Sequence, residues 1–250
     1  MLLAVTLLLW GALAPRGASA TGFVVTNLND DGAGSLRQAT TDANDTEGAD
    51  QITFEVTGTI APLSDLPVIL DTVAIVGNGQ IELSGVNPGL TIGLNVQANF
   101  SSVSGLAITR FTLAGISVTF AQGVYITGNK IGTEVTGTAA LGTGFAGVQI
   151  GSAATSNEIS ANLIANNPKG IFFFGGTADN LVKGNEITKN TFGIDIENSN
   201  TMGVTENIIS ENGVGVILRQ FAQGNVISSN TITKSVGPGV DVAQNALETR

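Results

Sequence analysis

The rows NEISANLIANNPKGIFFFGGTAD (157–179), NLVKGNEITKNTFGIDIENSNT (180–201), MGVTENIISENGVGVILRQFAQG (202–224) and NVISSNTITKSVGPGVDVAQNA (225–246) repeat one another in columns. One column holds Ile126, Ile159, Val182, Val204 and Ile227, each three residues before an asparagine: Asn129, Asn162, Asn185, Asn207 and Asn230. The last four asparagines stand 22 or 23 residues apart. Two residues after each comes Ile131, Ile164, Ile187, Ile209 or Ile232, and further on a Gly-apolar-x-apolar step supplies Val148/Ile150, Ile171/Phe173, Ile194/Ile196, Val216/Leu218 and Val240/Val242. A second asparagine file, Asn167, Asn190 and Asn212, closes the short segment that opens at the first. Self-similarity at a fixed period of this length means a solenoid.

Within a row, apolar and polar residues alternate over three to five positions and stop at Gly, Asn or Ser, a strand-and-turn signature without 3.6-residue periodicity. Each row therefore holds three short strands. Gly and Asn accept positive φ cheaply, and an asparagine amide can also bond its copy in the next row, so the asparagine files read as stacked turn ladders. A leucine-rich repeat would need a Leu-x-x-Leu-x-Leu frame and a helical return arm, and the rows contain neither. The expected fold is all-β: a right-handed parallel β-helix with three strands and about 23 residues per coil. A single coil buries too few aliphatics to offset the ordering of its backbone, so only stacking on its neighbours makes it stable.

The chain has 250 residues, 42% of them apolar and 12% charged, which is a globular composition with one elongated core. Its net charge of -10 carries no basic cluster, which excludes nucleic acid and anionic membrane surfaces as expected partners. With no Cys and no His, thiol nucleophiles, the usual zinc sites, imidazole acid–base chemistry and disulfides are all absent.

Residues 1–20 contain a short apolar run, then Pro15, Arg16 and Ala18-Ser19-Ala20, and read as a secretory signal peptide cleaved before Thr21. No membrane span is expected in the mature chain. Residues 21–105 read as an N-terminal cap and less regular coils, with strand-like runs at 23–29, 51–56, 68–70, 73–76 and 81–83. Ser35 with Gln38 fits a capping box, and Leu36, Ala39 and Ala43 share one face of a short helix suited to lie across the open end of the solenoid. Residues 106–250 hold the regular coils. No terminal cap follows the last row, so the expectation is the front part of a longer protein, or an end covered by dimerisation.

The segment Thr26-Asn27-Leu28-Asn29-Asp30-Asp31-Gly32-Ala33-Gly34-Ser35-Leu36-Arg37-Gln38-Ala39, with Asp42-Ala43-Asn44 and Ala49-Asp50-Gln51-Ile52-Thr53-Phe54, resembles the opening of secreted bacterial β-helix repeat proteins of the CSLREA type. The run from Gly128 through Asn129-Lys130-Ile131-Gly132-Thr133-Glu134 to Gly142 is similar to a loop-bearing coil of such proteins. Thr40 departs from the aliphatic residue more usual there, and Glu134 from aspartate, which weakens any metal role for that loop. The resemblance implies a secreted or cell-surface protein of the pectate-lyase-like superfold. A fold of this kind does not by itself carry a function.

If Ile194 and Ile196 face inward, then Gln149, Phe172, Asp195, Ile217 and Asp241 form one outward column. Asp195 and Asp241 would lie two coils apart, roughly 9 to 10 Å at the usual strand spacing, near the upper end of the separation used by inverting glycosidases. Glu197 and Arg219 occupy the next outward position in adjacent rows and are expected to form a surface ion pair. Arg219 is also a candidate base for a lyase, with Asp195, Glu197 or Asp241 around a Ca2+ ion, although no compact oxygen cluster is visible and no metal ligand is assigned. Phe172 and Phe174 are expected to be exposed beside Asp195 and Glu197, either as a sugar-stacking platform or covered by the 133–144 loop. Asn44-Asp45-Thr46 and Asn99-Phe100-Ser101 are glycosylation sequons. The expected partner is an extracellular polysaccharide or a cell-surface component, bound or displayed without cofactor. The alternative is a polysaccharide lyase or glycosidase.

Overall fold

The computed structural model describes residues 19–243, so most of residues 1–20, expected to be a signal peptide, and the residues after Ala243 fall outside the described residues. The chain winds into a parallel β-solenoid of about eight coils with one short helix near its start. Each regular coil contributes one strand to each of three faces. Two faces are joined into a single 15-stranded sheet by the long strands Val73–Ser84 and Ser102–Thr109, which bend from the first face to the second. The third face is a separate 7-stranded sheet that runs from Ile92–Val96 to Val240–Val242.

The columns read from the sequence are the registers of these sheets. Ile126, Ile159, Val182, Val204 and Ile227 stack in line on the first face. Ile131, Ile164, Ile187, Ile209 and Ile232 do so on the second. The Val148/Ile150 to Val240/Val242 pairs fill the third. Most of these side chains are completely buried, and together they form one core along the axis.

The asparagines do not themselves take the left-handed conformation. That falls on the residue before each one: Gly128, Ala161, Gly184, Glu206 and Ser229 all have φ between 54° and 64°. Such a backbone costs a residue with a side chain of order 1 kcal/mol or more, and the asparagine after it supplies the compensation. Asn162 Oδ1 accepts from the Asn129 backbone N–H at 2.9 Å and from its Nδ2 at 3.1 Å, while Asn162 Nδ2 donates to Ile126 O and Asn185 Oδ1. Asn185, Asn207 and Asn230 repeat the pattern, and Asn167, Asn190 and Asn212 form a second ladder of the same kind. A third file, at the head of the rows, was not recognised from the sequence. Asn157 accepts from the Val124 N–H and Asn180 from the Asn157 N–H, but Met202 interrupts the file before Asn225 resumes it.

The helix Leu36–Asp45 covers the start of the solenoid over the strands Gly22–Val25 and Asp50–Phe54. Ser35 caps it by accepting from the Gln38 N–H at 3.1 Å, but the Gln38 side chain donates to Asp42 and does not return to the cap. Thr40 is tolerated at a buried position because its hydroxyl donates to Leu36 O within the helix. The sequon residue Asn44 is engaged at both ends of its amide, donating to Val68 O and accepting from the Leu70 N–H, and so ties the helix to the next coil. Of the runs at 68–70, 73–76 and 81–83, the first is reduced to a single bridge at Ile69 and the other two are halves of one strand.

Candidate functional site

The third face carries the outward residues singled out above. Gln149, Phe172, Asp195, Ile217 and Asp241 stand in register on five successive strands. Their chemistry changes at every step, in contrast to the constant column beneath. The strand Lys169–Phe173 begins with a lysine aligned with Ala146 and Phe192. Gly170 follows because a Cβ there would lie 2.5 Å from Gly193 O and 3.1 Å from Asn190 Nδ2, so the backbone is pressed against the second asparagine ladder. The lysine chain lies along the outer surface.

Asp195 points outward yet has no accessible surface. Its carboxylate is held between Lys169 Nζ at 2.8 Å and Arg219 Nε at 2.9 Å, one contact on each oxygen. Both contacts are ion pairs by distance but not aligned as hydrogen bonds, and Arg219 Nη2 is buried without a hydrogen-bond partner. Aromatic rings close the cluster. Lys169 Nζ sits 3.4 Å from the ring centre of Phe172 and 4.6 Å from that of Phe145, and the Arg219 guanidinium lies 5.0 Å from Phe192. Cation–π contacts of this kind gain strength as they are desolvated. Phe172 and Phe174 stack in parallel at 5.1 Å, and Phe145 meets Phe172 edge-on at 5.4 Å.

Several expectations need correcting. Phe172 is buried, at 8% exposure, because Lys169, Phe145 and Phe174 cover it; only Phe174 stays partly exposed. Glu197 and Arg219 are aligned as expected, but Arg219 pairs with Asp195, and among the described residues Glu197 forms no ion pair. Burial decides this outcome: a carboxylate removed from water needs its cation more than an exposed one does. Asp195 and Asp241 share a column, but Ile217, also 8% exposed, stands between them and Asp195 offers no open oxygen.

The 133–144 loop does not lie over the phenylalanines. It folds back on the second face, where Lys130 Nζ donates to Val135 O and Gly137 approaches Leu163. Glu134 knits it together by accepting from the hydroxyls of Thr136, Thr133 and Thr138 and from the Ala139 N–H. Those bonds, the one from Thr136 foremost, hold its carboxyl far below the usual range. Its acceptor positions are therefore taken up by the loop itself. Among the described residues no three acidic side chains converge as metal ligands would.

Lys169, Phe145 and Phe192 were missed in the sequence because they precede the Gly-apolar-x-apolar step and read as turn residues. The one available signal was a large side chain just before that glycine in two rows, Lys169-Gly170 and Phe192-Gly193, with Phe145 one residue further back, before Ala146-Gly147.

The family described as "Right handed beta helix region" matches residues 92–249. Among solved structures, the chain is similar to an alginate lyase from Paenibacillus sp. str. FPU-7, with a TM-score of 0.59 and 16% identity over 83% of this chain and 75% of that one. It is similar to pectate lyase Pel9A, with a TM-score of 0.65 and 13% identity over 90% and 69%. It is also similar to ORF18 of Geobacillus virus E2, with a TM-score of 0.58 and 11% identity over 88% and 60%. At these identities the likeness is one of fold. No curated protein matches the sequence. Among the described residues no helix is long and apolar enough to cross a membrane.

Proposed function

We propose, for a chain that belongs to the right-handed β-helix family, a carbohydrate-binding or display role at the cell surface or in the extracellular medium, exercised through the outer face of the third sheet. The observation that carries this reading is the state of Asp195. The most central acid of the face has no accessible surface and has a cation on each oxygen, so it supports a rigid scaffold and is not presented as a base or a metal ligand. On the same face the rings of Phe174 and Phe192, the Arg219 side chain and Glu197 are partly open. Rings fixed by stacking offer an apolar surface to the C–H face of a sugar, and the flanking charges offer hydrogen bonds to its hydroxyls.

The second reading, a polysaccharide lyase or glycosidase, is favoured by the fold shared with an alginate lyase and a pectate lyase and by the partial exposure of the Arg219 side chain. One experiment separates the two. The chain from Thr21 onward is titrated with neutral and uronate-rich polysaccharides, with and without Ca2+, while reducing ends and unsaturated products are followed. Binding without products, weakened about tenfold or more in Phe174→Ala, supports the first reading. Unsaturated products that disappear in Arg219→Ala, or new reducing ends lost in both Asp195→Asn and Asp241→Asn, replace it with the second.

A further inference from the structure

We infer that a second carbohydrate site, for a neutral, hydroxyl-rich sugar unit, lies at the elbow between the first and second faces, walled by a backbone bulge and by the 133–144 loop. This goes beyond the third-face reading and does not depend on it.

In the regular coils the step from the first face to the second is made by one left-handed residue: Gly128, Ala161, Gly184, Glu206 or Ser229. In the strand Val73–Ser84 it is made by the four residues Gly77, Asn78, Gly79 and Gln80, which stand opposite Gly105 alone between the pairs Val76–Ser104 and Ile81–Leu106. Asn78 and Gly79 both have positive φ, 54° and 74°. A bulge of this kind re-aims side chains and recurs beside binding sites. Here it borders a cavity of about 390 Å3 lined by Thr57, Gly58, Thr59, Gly79, Gln80, Glu82 and Val135. That volume lies within the roughly 300–1,000 Å3 range of small-ligand pockets, near its lower end.

The lining selects the ligand. Glu82 accepts from the hydroxyl of Thr59 at 3.2 Å and from that of Thr109 at 2.8 Å, and among the described residues it has no ion-pair partner. A carboxylate has about four acceptor positions, so about two are left unfilled by these hydroxyls on a residue that lines the cavity. Its uncompensated charge repels uronates and phosphates and suits sugar hydroxyls, which donate. Gln80 is exposed and brings a donor and an acceptor. A Cβ at Gly79 would meet nothing within 4 Å, so the backbone there leaves room for a ring. Val135 supplies the apolar wall, and the loop that carries it is fixed by Lys130 and by the saturated Glu134.

The test is a titration of the full chain with xylohexaose, mannohexaose and maltohexaose, with oligogalacturonate and a glucosamine hexamer as charged counterparts, followed by calorimetry and by amide chemical shifts. The expected result is binding of at least one neutral hexamer. Its shifts centre on Gly58, Gly79 and Val135, and its affinity falls about tenfold in Gln80→Ala and in Glu82→Gln and is unchanged in Phe174→Ala. Unchanged melting temperatures in the Gln80 and Glu82 variants exclude loss of fold. The inference is overturned if no neutral hexamer binds, if only the charged oligomers bind, or if the shifts fall elsewhere. Loss of neutral-sugar binding in Phe174→Ala alone would also overturn it, by assigning that binding to the third face. Silence at the third face with binding at the elbow would overturn the earlier proposal and leave this one standing.

Discussion

The asparagine ladder under the first turn and the outer column of the third face are built on the same coils, yet they obey opposite rules. Along the ladder, Asn129, Asn162, Asn185, Asn207 and Asn230 place the same amide at the same point, and each completes the bonding of the one before. Along the outer column, Gln149, Phe172, Asp195, Ile217 and Asp241 differ at every coil. A position that must be filled the same way each time is maintained by the stack. A position that the stack leaves free can be given a one-off arrangement, and Lys169, Asp195 and Arg219 are such an arrangement. The contrast predicts where substitution is costly and where it alters binding.

The sharpest way to break the comparison is to remove a rung. Asn185→Leu leaves the Asn162 N–H and Nδ2 and the carbonyls of Ile159 and Lys183 without the partner they now have. With buried polar groups costing about 1–3 kcal/mol each when stranded, a loss of about 3–5 kcal/mol is expected in urea unfolding. A cost below about 1 kcal/mol would remove the ladder from the list of stabilising elements.

A smaller effect, about 2 kcal/mol, is expected for Lys169→Met, which leaves the buried carboxylate with Arg219 only. Adding Asp195→Leu to it restores part of the loss, because the fully buried carboxylate is gone and the charge that remains, Arg219, has a side chain 27% exposed that water can reach. If the double variant is less stable than the single one, Asp195 contributes more than its charge pairing explains. Thermal melts of the parent and the two variants give the answer.

Phe174→Ala costs less again, about 1 kcal/mol or below for a partly exposed ring, although binding at the third face falls. The smallest effect concerns Asp30, whose carboxyl the Arg37 side chain, then the Leu63 N–H, hold below its ordinary value. A carboxyl lowered in the folded state stabilises it above the unfolded value and ceases to do so as pH falls through the folded one. Asp30→Asn should therefore be slightly less stable than the parent at neutral pH, and the difference should shrink below about pH 4, as followed by acid titration of the melting temperature. A difference that widens on acidification would assign Asp30 another role.

The repeat was legible because the inward positions are copied, coil after coil, in residues of one kind. Where a copy fails, legibility fails with it. The file of Asn157 and Asn180 escaped notice because Met202 takes the next place. The third-face column was placed correctly by alternation, but alternation says nothing of which outward side chains cover one another. Phe172 was therefore expected in solvent, and Arg219 was assigned to Glu197 when Asp195 competes for it. Lys169 was invisible for another reason: Gly170 breaks the alternation locally, so counting from Ile171 gives no outward direction for it. The bulge at the elbow did have a signal, the Asn78-Gly79 pair, which marks a turn between two apolar runs.

The ladder also has a direction. Each asparagine's backbone N–H is accepted by the side chain of the coil that follows it in sequence: Asn129 by Asn162, Asn162 by Asn185, Asn185 by Asn207 and Asn207 by Asn230. A coil is thus sealed only when its successor has arrived. In a chain made or threaded through a pore from its N-terminus, the newest coil keeps an open amide facing forward while those behind it lock. Growth then resembles a ratchet, advancing by one coil at a time from the helix-covered end.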